Sequence, residues 1–281
     1  MTSISIIGAG NVGGSFGRAL LSKGYDVLFY DVSWEQLSKL KDYKHTNNLN
    51  EVLKSDLVII TVPTESLLDG GCDLRILKEV VNDLKVRNYG GLVVQTSTCP
   101  PGTAREMSFL LPNYVVVPSH GTMESMDHDL LNPLRMMIGT ATGEPNQVMA
   151  GIAAKFGCPI YFDTYEEVEL VKYCENVLSA TIISYWNEMF LLCEKLKNKG
   201  VNVDSDRLAR IIDGSSAFHS IYRFHGKAYG GACIPKDTKA YIKWCDSVLN
   251  YTPKFAMASN IINGVMKEKY GVETRHLIYR N

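Results

Sequence analysis

The chain lacks an excess of charge of either sign: 29 Lys and Arg stand against 30 Asp and Glu in 281 residues. Binding to nucleic acid backbones or anionic membrane surfaces without sequence preference needs a surplus of cations, so neither partner is expected. Long apolar runs are missing too. The apolar stretches are short and broken by Gly, Asn or charge, whereas a bilayer helix needs about 20 consecutive apolar residues, so no membrane segment is expected. The seven cysteines (Cys72, Cys99, Cys158, Cys174, Cys193, Cys233 and Cys245) are odd in number, form no C-x-x-C pair and follow no secretory signal. That usage suits the reducing cytosol, and no metal site is expected. Internal repeats, low-complexity tracts and long linkers are absent from the pattern as well.

What remains is ordinary globular composition, 46% hydrophobic and 21% charged, enough for one large or two modest domains. The first half alternates short β-rich runs at 4–7, 27–30, 57–62 and 92–95 with helical patterns, which implies a parallel sheet with crossover helices. Runs at 114–117 and 135–139 extend that sheet, a helix is expected over 144–156, and a last strand over 159–162. The fold class expected is α/β, an N-terminal Rossmann doubly wound parallel sheet over residues 1–163 followed by a mostly helical domain over 164–281. The second domain opens with one long helix over 165–199, in which Leu178, Ile182, Tyr185, Met189, Cys193 and Leu196 recur at three- and four-residue spacing, stopped by Gly200. Helical patterns follow at 206–213, 236–248 and 255–269, with a Gly-rich segment at 226–233 between them. The long helix is too apolar to be wet all round, so it is expected to bury one side against a second copy in a homodimer.

The first strand runs into Gly8-Ala9-Gly10-Asn11-Val12-Gly13, a G-x-G-x-x-G fingerprint followed by a helical pattern. Gly8 permits the tight turn, Gly10 lets the backbone approach a pyrophosphate, and Gly13 allows helix and strand to pack closely, leaving the diphosphate at the helix N-terminus. Alone this motif is weak. Here the second strand ends at Asp31, where a carboxylate accepts hydrogen bonds from the adenosine ribose hydroxyls. Its charge repels a 2′-phosphate and no Arg directly follows it, so NAD is the expected cofactor rather than NADP.

The segment Gly230-Gly231-Ala232-Cys233-Ile234-Pro235-Lys236-Asp237 is the most informative part of the second half. Two glycines precede a cysteine, and a proline presets the first turn of a helix. A thiol there lies near a helix N-terminus and a Lys, both of which favour the nucleophilic thiolate. A cysteine without such context is usually a small buried hydrophobe. Upstream, Lys172 and Asn176 lie four residues apart, and Asn187 lies eleven beyond Asn176, so all three return to about one helix face and can point into one cleft. The alternative for such a row is a solvated helix face.

These segments resemble the UDP-glucose/GDP-mannose (nucleotide-sugar) 6-dehydrogenase family. The cysteine segment is similar to its G-G-x-C-x-P-K-D motif. Ser97-Thr98-Cys99-Pro100-Pro101-Gly102-Thr103 resembles its S-T-x-P-P-G-T turn, and Glu169, Lys172, Asn176, Asn187 and Glu188 resemble its long central helix. The resemblance implies two hydride transfers from a sugar C6 alcohol, through a thiohemiacetal and then a thioester on Cys233, in the service of polysaccharide biosynthesis. It implies that Lys172 and Asn176 stabilise the substrate oxygen and that Asp237 and Thr98 position water and take part in proton transfer. Val62, Pro63, Ser97 and Thr98 join Gly8, Gly10, Asn11, Val12, Gly13 and Asp31 against the cofactor. Gly230, Gly231 and Lys236 join Lys172 and Asn176 against the nucleotide sugar.

Two departures accompany the resemblance. Where the family has a glutamate after a proline, the ungapped alignment puts Ser119 after Pro118, leaving His120 and Glu124 as substitutes or as ordinary loop residues. Family members also continue into a third, nucleotide-binding domain, whereas this chain reads as a short form, and the family's D-x-R-I-G stretch is not recognisable between Asp213 and Gly226. Arg223, His225 and Lys227 are candidate phosphate contacts, although scattered loop cations are more often solvated. Two further readings stand beside the nucleotide-sugar dehydrogenase: a β-hydroxyacid-type enzyme moving a single hydride, and a non-catalytic NAD-binding assembly subunit.

Overall fold

The structure is a computed structural model, and it describes residues 2–121, 124–213, 226–231 and 233–272. Two compact units emerge, residues 1–65 with 72–172 and residues 66–71 with 173–281. In the first, the elements alternate as β1 (Ser3–Ile7), α1 (Asn11–Ser22), β2 (Asp26–Tyr30), α2 (Trp34–Ser38), β3 (His45–Thr46), α3 (Leu49–Val52), β4 (Leu57–Ile60), α4 (Arg75–Val86) and β5 (Leu92–Gln95). They continue with α5 (Thr103–Ser108), β6 (Tyr114–Val116), α6 (Met126–Leu131), β7 (Met136–Thr140), α7 (Gln147–Ala154) and β8 (Ile160–Thr164). The strands form one sheet in the order β3-β2-β1-β4-β5-β6-β7-β8, the doubly wound arrangement the sequence implies.

The central strands are buried along their whole length, Leu57, Val58, Ile59 and Ile60 all being at 1% exposure or less. Burial on both faces is what a parallel sheet covered by crossover helices requires. Successive side chains then divide between two cores. Ile4, Ile6, Phe29 and Ile59 pack with Phe16 and Leu20 of α1, whereas Ile7, Val58, Ile60 and Val93 pack with Leu77, Val81 and Leu84 of α4.

One strand breaks the expected parallel pattern: β7 pairs with β6 antiparallel, through Val116 and Gly139. A Cβ on Gly139 would stand 2.5 Å from the Val116 side chain, so this close approach requires glycine. The expected helix at 144–156 starts later, at Gln147, because Thr140 first organises a turn. Its Oγ1 accepts from the Gly143 N–H and donates to the Glu144 carbonyl, and Asn146 then caps α7 by accepting from the Met149 N–H. The strand expected over 57–62 closes at Ile60, where the Thr61 hydroxyl turns back to the Gly8 carbonyl at 2.6 Å.

The long helix α8 (Tyr165–Lys197) follows β8 without a linker. Its first turns belong with the sheet. Tyr165 donates to the Tyr114 carbonyl at 2.7 Å, and the two oxygens of Glu166 meet Arg105 at 2.8 and 2.9 Å. Glu169, at 2% exposure, accepts from the Gly102 and Ala104 N–H groups at 2.8 Å each, satisfying donors at the head of α5. In the second unit α8 continues from Tyr173, ends at Lys197 and turns at Gly200 (φ +78), where the Val201 N–H reaches the Leu196 carbonyl. Then come α9 (Ser205–Asp213), α10 (Ile234–Leu249) and α11 (Lys254–Tyr270). Among the described residues no helix is long and apolar enough to cross a membrane.

Burial raises the Glu169 carboxyl from 4.5 to about 8, outweighing the two N–H donors, which pull it down. Between those values the folded chain holds a proton that the unfolded chain releases, so stability declines as pH rises through the window. Glu169→Gln cannot titrate. The fall in Tm from pH 4.5 to about 8 is therefore expected to be shallower in this variant than in the wild type, and equal slopes would contradict the assignment.

Candidate functional site

The turn after β1 has the shape its glycines predict. Gly8 takes φ +97 under the Thr61 backbone, and a Cβ on Gly13 would lie 2.0 Å from the Gly8 carbonyl oxygen, so α1 packs against the turn as only glycine allows. Gly10 differs: a Cβ there meets nothing within 4 Å, which leaves open space over the backbone at the head of α1. That end of the helix has no side-chain cap and no acidic residue in its first turn. A helix N-terminus without acidic residues suits an anion such as a diphosphate, through its dipole. Asn11 is exposed and Val12 half-buried at the same end.

Asp31 stands immediately beyond β2. Its carboxylate accepts from the Ala9 N–H through one oxygen and from the Ser33 N–H through the other, both at 2.8 Å. This holds the acid beside the glycine turn with lone pairs to spare for ribose hydroxyls. The tips of β4 and β5 are tied together. Ser97 donates to the Val62 carbonyl at 2.6 Å, and Thr64 donates to the Thr98 carbonyl at 2.8 Å. Pro63 is exposed and Thr98 half-buried beside them. An open Gly10, an uncapped helix head and a fixed Asp31 fit a dinucleotide, with Asp31 toward the ribose and the head of α1 toward the diphosphate.

In the second unit Cys233 is exposed and is the residue just before α10. Gly231 precedes it at φ +81, a conformation that favours glycine, and Gly230 is half-buried. Pro235 sits in the first turn of α10, and the Asp237 N–H donates to the Cys233 carbonyl at 2.8 Å. The Asp237 side chain is 1% exposed. It receives a short hydrogen bond from the Asn176 amide on one oxygen and forms an ion pair with Lys236 at 2.6 Å on the other. Asn176, Lys236 and Asp237 are thus brought together one helical turn beyond Cys233.

Asn187 does not share that cluster, contrary to the expectation of one polar face. It is fully buried, accepts from the Gly226 N–H at 2.8 Å and donates to the Lys227 carbonyl at 3.0 Å. Lys172 is half-buried on α8 within the first unit, as is Thr98. Of the two candidate substitutes for the family glutamate, Glu124 is exposed. The half-buried His120 lies in a small recess with Ser119, Asp129 and Arg135. Burial, then the charges of Lys172 and Arg135, press the His120 imidazole down to about 3, so it is neutral at neutral pH. Arg223, His225 and Ala232 lie outside the described residues, and Lys227 is exposed.

Two features were not foreseen: the cap that Glu169 provides, and Asn263, whose amide holds the backbone of Tyr229. Both polar side chains sit among apolar neighbours on helices, and that was the available signal.

A Rossmann sheet with this turn, followed by a helical unit in which an exposed cysteine stands just before α10, defines a dinucleotide-binding oxidoreductase architecture. Residues 41–156 match the model of the UDP-glucose/GDP-mannose dehydrogenase family's NAD binding domain, and residues 166–264 match that of its central domain. The chain belongs to this family. Residues 3–74 also match a model described as NADP oxidoreductase, coenzyme F420-dependent, within the dinucleotide-binding half. A UDP-glucose 6-dehydrogenase of Rhizobium meliloti is 30% identical over 85% of this chain, and a putative one of Bacillus subtilis is 29% identical over 84%. The chain spans 62% of the length of each. Among solved structures, a UDP-glucose dehydrogenase from Pyrobaculum islandicum superposes with TM-score 0.82 at 27% identity, covering 95% of this chain and 69% of that one. A 3-hydroxyisobutyrate dehydrogenase of Mycobacterium tuberculosis shares the fold at TM-score 0.75 and 19% identity, covering 96% of this chain and 95% of its own.

With Asp31 fixed beside the glycine turn, NAD is expected to bind at least about tenfold more tightly than NADP, since a 2′-phosphate would meet a carboxylate. Calorimetry with both nucleotides checks this, and equal affinities would contradict it.

Proposed function

We propose that this chain carries out the NAD-dependent oxidation of a nucleotide sugar's C6 alcohol to the carboxylate, using Cys233 as a covalent nucleophile. The observation that carries the reading is the exposed Cys233 at the head of α10, with Asp237 buried one turn beyond it between Asn176 and Lys236. A buried carboxylate is costly unless paired, and this one is paired twice. Retention of that arrangement next to an open thiol favours chemistry over a binding-only role. The names of the relatives, which are UDP-glucose 6-dehydrogenases, support the substrate class.

The roles follow from the side chains. NAD, when bound, accepts the hydride in each of the two oxidations. Loss of the first hydride from C6, with release of the hydroxyl proton, leaves an aldehyde. The Cys233 sulfur adds to its carbonyl carbon, and the carbonyl oxygen takes up a proton, giving a thiohemiacetal. This adduct can surrender a second hydride, which the free aldehyde cannot do. The resulting thioester is cleaved by water, which returns the thiol and releases the carboxylate. Lys172 and Asn176 are assigned to the charge that develops on the substrate oxygen. Such a donor is worth about 3 kcal/mol in comparable sites. Asn176 spends one amide hydrogen on Asp237 and keeps a second for substrate. Thr98 and Asp237 are assigned to holding water and passing protons, Lys236 with the Gly230-Gly231 backbone to the sugar, and Gly8, Gly10, Asn11, Val12, Gly13, Asp31, Val62, Pro63, Ser97 and Thr98 to the cofactor. A cytosolic setting fits seven free cysteines.

Wild-type protein is expected to yield two NADH per substrate, and Cys233→Ser to bind NAD normally while forming no carboxylate. Stopped assays of NADH and acid check this. Complete two-step turnover by the serine variant would remove Cys233 from the mechanism, and one NADH in the wild type would favour the hydroxyacid-type reading.

A homodimer through α8 is part of the same proposal. Leu178, Tyr185 and Leu192 are each about half exposed, at 55%, 50% and 48%, and recur every seventh residue, so they form one apolar seam. Leu178→Glu with Leu192→Glu is expected to halve the mass seen by light scattering. A wild-type mass of one chain at every concentration would contradict the seam's role.

A further inference from the structure

The backbone ahead of Cys233 is gripped in an unusual way. Asn187 of α8 takes the Gly226 N–H and the Lys227 carbonyl, at 2.8 and 3.0 Å. Asn263 of α11 takes both backbone groups of Tyr229, accepting from its N–H at 2.7 Å and donating to its carbonyl at 3.2 Å. Between them the Ala228 N–H donates to the Gly271 carbonyl at 3.0 Å. Each side-chain amide presents one donor and one acceptor, as a peptide group does, so the two asparagines act as short pieces of neighbouring strand. Only Gly230, Gly231 and Ala232 separate this gripped segment from Cys233, and the far side of the cysteine is held by the first turn of α10.

We propose that Asn187 and Asn263 are positioning residues for Cys233: two helix-borne amides that clamp residues 226–229 and so set where the sulfur stands at the head of α10. This rests on the reading of Cys233 as the nucleophile, but the clamp's effect on the thiol is measurable without substrate. Gly231 is exposed and at φ +81, and a Cβ there would meet nothing within 4 Å, so this residue itself adds no packing. The described hydrogen bonds that hold this loop lie at its ends. Asn263 is half-buried, whereas Asn187 is fully enclosed, so substitution at 263 spares the core. Displacement of about 1 Å at a reacting atom costs up to about a hundredfold in rate, so a clamp whose nearest held residue, Tyr229, has only three residues between it and Cys233 is within effective range.

The test labels the whole protein with iodoacetamide and follows Cys233 and Cys174, both exposed, by peptide mass spectrometry. Asn263→Asp keeps the acceptor for the Tyr229 N–H and loses the donor to its carbonyl; Asn263→Ala removes both. Freed from the clamp, the thiol leaves the field of the α10 N–H groups that favours a negative sulfur, and labelling of Cys233 slows at least about threefold, more in the alanine variant. Cys174 labelling and the affinity for NAD stay at wild-type values. Cys233 labelled at the wild-type rate in both variants would overturn the clamp, as would Cys174 and NAD affinity changing in step with Cys233, which marks general loosening. Cys233→Ser separates the two ideas: if it still forms carboxylate while the labelling shift is present, the nucleophile reading falls and the clamp stands.

Discussion

Glu169 is the constraint on which the first unit's layout depends. Its buried carboxyl accepts from the Gly102 and Ala104 N–H groups at the head of α5, so one side chain ties the start of α8 to the turn that follows Ser97 and Thr98. Neither backbone donor could be left unmet in a core where Ala104 and Met107 have no exposure. The arrangement also explains why α8 begins in the sheet unit rather than after it. Tyr165 and Val168 complete the core beneath β6, and the helix leaves that unit only after Lys172.

A different economy governs the second unit, where helices carry the polar hardware. Asn176, Asn187 and Asn263 each spend a side-chain amide on another part of the chain, on Asp237 or on the backbone ahead of Cys233. Amides withdrawn from water are costly unless paired, most of all the buried Asn176 and Asn187, so each of the three favours one geometry. The result is an exposed thiol with described hydrogen bonds on both of its flanks. On the proposed reading, such a site would open the thiol to substrate while the clamp sets where it stands.

Much of this was legible in the sequence because glycine spacing and strand periodicity report directly on backbone geometry. The fingerprint at Gly8, Gly10 and Gly13 is found with the tight turn, open approach and close packing expected of it, and the parallel pairing of β1 to β6 follows from alternation. The direction of β7 was not legible, since a parallel and an antiparallel neighbour present the same apolar run; only the contact of Gly139 with Val116 distinguishes them. Side-chain amides were the other blind spot. An asparagine on a helix looks alike whether it faces solvent, substrate or a distant peptide group. Asn187 therefore reads as a companion of Asn176 until its partners are seen to be Gly226 and Lys227.

The central claim is that oxidation passes through a covalent bond to Cys233, and the most direct measurement is of that bond. Wild-type protein turning over a nucleotide sugar with NAD is quenched in acid, digested and weighed. The account predicts the sugar acyl group on the peptide that contains Cys233, appearing during turnover and gone once substrate is exhausted. Sustained formation of two NADH and carboxylate with that peptide unmodified at every quench time would contradict it.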